Sequence, residues 1–256
     1  MSVELTQHGT TARLMLNRPD ALNALSFDIL AQIGQALDDV ARMKDVRCLF
    51  ISGAGDRAFC AGADIPELRD RSLIDQQRGA ELGQRVFAKL ADLPMTSVAL
   101  INGFAFGGGL ELALGCTFRL AAPTARMGLP EIKLGLIPGY GGTQRLPRLI
   151  GQTRALEMIL TGRTVEAPEA LSMGLVDRIC DGDLWEAGDA FAQTFTGYGM
   201  MAQYLARQAV ERGGDLPLDQ GLKLEAQLST LAYRTEDAEE GMLAFVEKRK
   251  PRFRDV

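Results

Sequence analysis

Histidine is almost missing from this 256-residue chain, in which His8 stands alone. That scarcity excludes much chemistry. A Ser–His–Asp or Cys–His relay would have to run through His8, which reads as part of a hairpin turn beside Gly9, and a histidine-rich zinc site cannot be assembled. The four cysteines, Cys48, Cys60, Cys116 and Cys180, have neither disulfide nor metal spacing. No run approaches the roughly 18 apolar residues of a membrane span. The opening stretch MSVELTQHGTTARLMLN has no signal-peptide apolar block and no Arg/Ser-rich transit character, so a cytoplasmic location without membrane association is expected. Positive charge is in deficit: 28 Lys and Arg face 33 Asp and Glu, a net charge of −5, which offers nucleic acid no attractive field. The phosphate-binding patterns GxxxxGK[ST] and GxGxxG do not occur either.

What remains is an ordinary globular composition, 46% apolar and 24% charged, with enough length for a full core. Residues 3–16 alternate as two short strands, and Ser26 can cap a helix running to Met43. Arg47–Ser52 and Ser97–Ile101 read as buried strands. A helix is expected over Gly79–Leu93, after a charged, loop-like stretch from Pro66 to Asp75; Pro66–Gly83 would shape any pocket beside it. Further helices are expected over Thr153–Leu160 and Glu166–Met173, with a last strand over Leu175–Ile179. Strand–helix alternation of this kind predicts α/β with a largely parallel sheet. From about residue 183 the pattern is helical only. Thr235 can cap a final helix with acids early and Lys248, Arg249 and Lys250 late, stopped by Pro251, while Leu218, Leu222, Leu228 and Leu231 line another. These tail helices are too short to form a core of their own and must bury their apolar faces elsewhere.

The chain is organised around NGFAFGGGLELALG (Asn102–Gly115) and the segment that follows it to Gln144. After a buried strand come Gly107, Gly108 and Gly109, then a strong helix former. Glycines permit close backbone approach, and a helix start leaves N–H groups unpaired at a positive dipole end. Glu111 lies in that helix's first turn, and twenty residues on Glu131 follows Pro130 in a second glycine-bounded loop. A first-turn glutamate is more often a solvated dipole partner than a catalyst. The combination of an amide nest with two carboxylates points to a cleft where developing negative charge meets proton-transfer groups.

Five blocks in order carry a resemblance: LNRPDALNALS (Leu16–Ser26), AFCAGADI (Ala58–Ile65), NGFAFGGGLELA, GLPEIKLGLIPGYGGTQRLPRLIG and LTGRTVEAPEALSMGLVDRI, with EGMLAFVEKRKPRF (Glu240–Phe253) at the end. The chain resembles the crotonase family, the enoyl-CoA hydratase/isomerase superfamily, and its two glutamates match the hydratase pattern most closely. The resemblance implies a ClpP-like spiral of ββα units over residues 1–195 and a helical oligomerisation region over 196–256, in trimers that commonly pair to hexamers. It implies hydration of 2-enoyl-CoA thioesters to 3-hydroxyacyl-CoA in fatty acid or related acyl-CoA degradation, with no metal and no cofactor beyond the CoA of the substrate. By motif match, the N–H groups of Ala63 and Gly108 form an oxyanion hole, Glu111 takes a proton from water and Glu131 exchanges one at C2. Ala61, Gly62, Asp64 and Ile65 would line CoA, Gly139 would sit near the catalytic water, and Phe245 and Lys248 would reach CoA, across a subunit boundary in the assembled form.

The chain departs from many hydratases in having Asp20 and Pro66 where lysines stand, which passes the phosphate contacts to Arg18, Arg69 or Lys248. The nearest alternative is a Δ3–Δ2 enoyl-CoA isomerase, which often works with one glutamate; a specialised acyl-CoA dehydratase is another. RNA binding, known in some family members, fits poorly with the acidic charge.

Overall fold

The computed structural model describes residues 2–255. The chain opens with an antiparallel hairpin, β1 (Val3–His8) and β2 (Thr11–Leu16), in register from Val3–Leu16 to His8–Thr11. After a short 3-10 turn, α1 (Phe27–Val40) starts where Ser26 accepts a hydrogen bond from the N–H of Ile29. There follow β3 (Cys48–Gly53), β4 (Ala58–Cys60), the single turn α2 (Ile65–Leu68), α3 (Leu73–Asp92), β5 (Thr96–Ile101), β6 (Phe104–Phe106) and α4 (Gly108–Gly115). Then come β7 (Phe118–Ala121), β8 (Arg126–Gly128), a 3-10 turn over Pro130–Leu134, α5 (Gly142–Ile150), α6 (Gln152–Thr161), β9 (Val165–Glu166), α7 (Ala167–Met173) and β10 (Arg178–Ile179). The rest is helical: α8 (Leu184–Ala192), α9 (Met200–Gly213), α10 (Leu218–Ala232) and α11 (Glu236–Val246).

The strands form two sheets, ordered β1-β2-β3-β5-β7-β10 and β4-β6-β8-β9. From β2 to β10 the larger sheet is parallel, and β4, β6 and β8 are parallel neighbours in the smaller one. Both faces of the larger sheet are covered, so β3 and β5 are buried throughout, as parallel strands between layers must be. The alternation of side chains along a strand divides the core. Leu49, Ile51, Ala99 and Ile101 face the main cluster with Leu30, Ile33, Val86, Phe87 and Leu90 of α1 and α3. Cys48, Phe50, Val98 and Leu100 face a second cluster under α8, with Leu184 and Phe191.

Several boundaries differ from the sequence expectation. The helix expected from Gly79 begins at Leu73, capped by Ser72, whose hydroxyl accepts from the N–H of Asp75. Its first turns carry exposed Leu73 and Ile74 and charged residues, so no apolar period betrays them; the stretch from Pro66 to Asp75 also holds α2. Helix α5 was not expected, because Pro147 lies inside it, although Leu146, Leu149 and Ile150 fall at helical spacing. At the C-terminus Thr235 does cap α11, but the helix ends at Val246, and Lys248 lies beyond it with a left-handed φ of 56°, so the basic cluster does not occupy the last helical turn. Helix α10 packs on α9 and buries none of its residues.

Asn23 shows how the first motif serves the fold. It is buried, holds a left-handed φ of 58°, donates through Nδ2 to the carbonyls of Ala54 and Ala58 and accepts the N–H of Arg18 through Oδ1. It thereby ties the turn before α1 to the start of β4. Asn23→Ala leaves those buried groups without partners and is expected to destabilise the fold by about 2–4 kcal/mol, read from the urea midpoint. A loss within about 0.5 kcal/mol would contradict this role.

Candidate active site

The smaller sheet brings the site together. Pairing of Cys60 with Ala105 and of Phe106 with Gly128 aligns the C-terminal ends of β4, β6 and β8 side by side. Three loops therefore leave from one edge, carrying Ala61–Asp64, Gly107–Gly108 and Glu131. Clefts outside the carboxyl ends of parallel strands are a recurrent place for ligands.

The first loop is fixed by backbone hydrogen bonds. Ala61 N–H donates to Leu22 O, Leu25 N–H to Gly62 O and Asp64 N–H to Leu25 O, while the N–H of Ala63 has no backbone acceptor among the described residues. Gly62 holds φ +112°, and a Cβ there would lie 3.0 Å from Phe106 O, so glycine is needed for the two loops to approach. In the second loop it is Gly107, at φ +51° and ψ −125°, that turns the chain into α4. The strained glycine is thus Gly107, whereas Gly108 has an ordinary φ and is the first helical residue, with an N–H left unpaired by helix geometry. What constrains Gly108 is crowding: a Cβ would sit 3.0 Å from Tyr140 Cδ2 and 3.2 Å from Leu25 Cδ1.

Both glutamates meet this region. A Cβ on Gly107 would lie 2.9 Å from Glu131 Oε1, so the carboxyl touches the turn that starts α4. Glu131 Oε2 is buried without a hydrogen-bond partner, and burial raises the pKa of this carboxyl above its usual value. Glu111, one turn into α4, is 1% exposed. Its Oε1 accepts two backbone hydrogen bonds, from Tyr140 N–H at 2.8 Å and Gly142 N–H at 2.7 Å. Burial pushes its pKa up to about 7, the Glu131 charge adds to the rise, and the Gly142 and Tyr140 N–H groups with Arg145 hold it back. A group poised near neutrality suits proton transfer. The solvated reading of Glu111 is therefore wrong: the helix faces inward and the carboxyl has left water.

These holders of Glu111 were not anticipated. Gly142 would place a Cβ 3.0 Å from Glu111 Oε1, Gly141 adopts φ +114°, and Arg145 Nη1 donates to Tyr140 O at 3.0 Å. The advance signs were the pair Gly141–Gly142 and, after it, the helical spacing of Leu146, Leu149 and Ile150, which Pro147 obscured.

The remaining matched residues are more scattered. Asp64 accepts from Arg18 at 2.6 Å, so that arginine, offered as a phosphate contact, is occupied by an ion pair. Ile65 and Arg69 are exposed at either end of α2. Gly139 lies against α3, its carbonyl accepting from Gln84 Nε2 at 2.9 Å. Phe245 is 86% exposed at the end of α11 with Lys248 just past it, and among the described residues neither makes a hydrogen bond to the cleft loops.

The enoyl-CoA hydratase/isomerase family model matches residues 6–256. The chain belongs to this family. It is 38% identical to the short-chain-enoyl-CoA hydratase of Clostridium acetobutylicum, over 97% of this chain and 96% of that one. It is 39% identical to the crotonyl-CoA hydratase of Syntrophomonas wolfei, over 98% and 97%. The crystal structure of an enoyl-CoA hydratase from Bacillus anthracis superposes with a TM-score of 0.94 at 36% identity, covering 100% of both chains. The fold is thus the crotonase fold.

The titration of Glu111 carries a stability consequence. Its folded carboxyl keeps a proton up to about pH 7, whereas the unfolded one releases it near 4.5. The folded state binds more protons in that window, so this contribution to stability is fully present below the unfolded value and is lost as pH rises to the folded one. Glu111→Gln keeps the shape without ionising. Relative to the wild type, it is expected to gain stability between about pH 5 and pH 8, by on the order of 2–3 kcal/mol in urea melts. An unchanged difference at the two pH values would show that Glu111 ionises as it does in water.

Proposed function

We propose that the protein is an enoyl-CoA hydratase that adds water across the 2,3 double bond of 2-enoyl-CoA thioesters. One observation carries this reading: a buried glutamate held through a single oxygen by two N–H groups, facing a second glutamate at a glycine turn that starts a helix. The thioester carbonyl would accept hydrogen bonds from the N–H groups of Ala63 and Gly108, drawing electron density from C3. Removal of one such donor costs roughly 3–4 kcal/mol in the oxyanion holes of acyl-transfer enzymes. Glu111 Oε2, outside the two bonds that fix Oε1, takes a proton from water as the water oxygen bonds to C3. The π electrons move to the carbonyl oxygen as an enolate, and Glu131, entering protonated, delivers its proton to C2. The two carboxyls then exchange their protonation states, which a raised pKa on each makes accessible near neutral pH. The addition changes no net oxidation state, and the proposal includes neither metal nor redox cofactor.

We also infer that residues 196–256 form a helical region apart from the 1–195 core and that it serves assembly of a homo-oligomer, a trimer or a dimer of trimers. The support is the unburied α10, with Leu218 78% exposed, and the bare apolar end of α11. In such an assembly Phe245 and Lys248 would reach the CoA of a neighbouring copy, while Ala61, Gly62, Asp64 and Ile65 line it from their own chain and Gly139 sits near the water. Among the described residues no helix is long and apolar enough to cross a membrane. Four free thiols suit a reducing compartment, and the reading places the enzyme in the cytoplasm.

If both glutamates act on one water, either Glu→Gln change is expected to slow crotonyl-CoA hydration on the order of a hundredfold, and the double variant to be little worse than the slower single. Isomerisation of a 3-enoyl-CoA needs the C2 proton shuttle but no attacking water, so Glu111→Gln should retain a larger share of it. Steady-state rates of wild type, both singles and the double decide the matter: fully multiplicative losses would sink the shared water, and an unimpaired Glu131→Gln would sink the assignment. Deletion of residues 235–256 is expected to lower both oligomeric state and CoA affinity. A monomeric full-length enzyme with full activity, seen by sedimentation, would refute the role given to the tail.

A further inference from the structure

The family pattern leaves the acyl chain length open, but the environment of Tyr140 does not. Its ring fills the space between two glycines on different helices. A Cβ on Gly83 of α3 would lie 2.6 Å from Tyr140 Cγ, and one on Gly108 of α4 would lie 3.0 Å from Cδ2 and 3.1 Å from Cε2. Phe87 meets the ring edge-on at 5.8 Å, and the residue is 7% exposed. Its main chain is held on both sides, by the N–H bond to Glu111 and by the Arg145 bond to its carbonyl. The ring therefore cannot leave its slot by a backbone shift without releasing the Glu111 carboxylate.

This position follows the substrate. A thioester oxygen at the Gly108 N–H puts C2 towards Glu131 and C3 towards Glu111, whose carboxylate hangs on the Tyr140 N–H. On the hydratase reading, the next carbons of the chain would run from there towards the ring. We propose that Tyr140 is the specificity-determining wall of the acyl cleft and restricts the enzyme to short-chain enoyl-CoA substrates, its ring occupying the space between Gly83 of α3 and Gly108 of α4 that a longer chain would need. The direction assigned to the chain rests on the hydratase reading above; the packed slot does not.

The test compares kcat/KM for crotonyl-, octenoyl- and dodecenoyl-CoA in wild type, Tyr140→Phe, Tyr140→Leu and Tyr140→Ala, alongside calorimetric binding of the saturated butyryl- and lauroyl-CoA. Wild type and Tyr140→Phe are expected to share a steep fall with chain length, because the ring and not its hydroxyl is the obstacle. Tyr140→Ala is expected to raise the dodecenoyl-to-crotonyl ratio by about tenfold or more, the scale on which apolar pockets discriminate size. Tyr140→Leu, which keeps more of the packed volume, should raise it less and covers the case in which the alanine variant fails to fold. A wild type that processes dodecenoyl-CoA as well as crotonyl-CoA, or a ratio unmoved in every folded variant, overturns the proposal. If no enoyl-CoA is hydrated by any form, binding decides. A butyryl preference that the smaller side chains relieve upholds the wall while refuting hydration, and binding without length preference refutes the wall itself.

Discussion

Two hydrogen bonds, from the N–H groups of Tyr140 and Gly142 to one oxygen of Glu111, are the interaction on which the proposed chemistry depends. A carboxyl at 1% exposure is unfavourable unless its oxygens find donors or it keeps a proton. Here both remedies operate: the donors fix Oε1, and burial lifts the pKa to about 7. Around this pair other features fall into place. Gly142 must lack a side chain because the carboxyl occupies that space, and Arg145 braces the same loop through the Tyr140 carbonyl. Helix α5, despite Pro147, begins where Gly142 donates to the glutamate.

The fold's contribution is alignment. A parallel β4-β6-β8 arrangement is the simplest way to deliver three loops from distant parts of the chain to one edge, because equivalent ends of neighbouring parallel strands coincide. The larger sheet, buried on both faces between α1 and α3 on one side and α8 on the other, is the rigid layer beneath them. Positions set by such a layer vary little, as an array of fixed backbone donors requires.

Much of this was legible in the sequence where local chemistry decides the outcome. Ser26 and Thr235 cap helices as their residue types suggest, the β-branched and apolar runs of β3 and β5 form the buried strands, and the glycine triplet does open a helix. Less was legible where tertiary packing overrides local preference. Glu111 in a first turn has the pattern of a solvated dipole partner, and only the arrival of the Tyr140–Gly142 loop buries it. Leu73 and Ile74 start α3 while exposed, so no amphipathic period announced them. The leucines of α10 have helical spacing, yet none is fully buried in one chain, since a sequence records an apolar face but not what covers it. The glycine triplet could not tell which of its members bears the positive φ; the structure assigns it to Gly107.

The central claim is that two carboxyls and a pair of backbone donors add water to an enoyl thioester, and the most direct measurement is isotopic. Crotonyl-CoA would be incubated with the purified protein in oxygen-18 water and the thioester products analysed by mass spectrometry. The account predicts a 3-hydroxybutyryl-CoA carrying the heavy oxygen at C3, formed at a rate proportional to enzyme. Recovery of crotonyl-CoA unchanged, or free CoA with labelled carboxylate and no hydroxyacyl thioester, would contradict it.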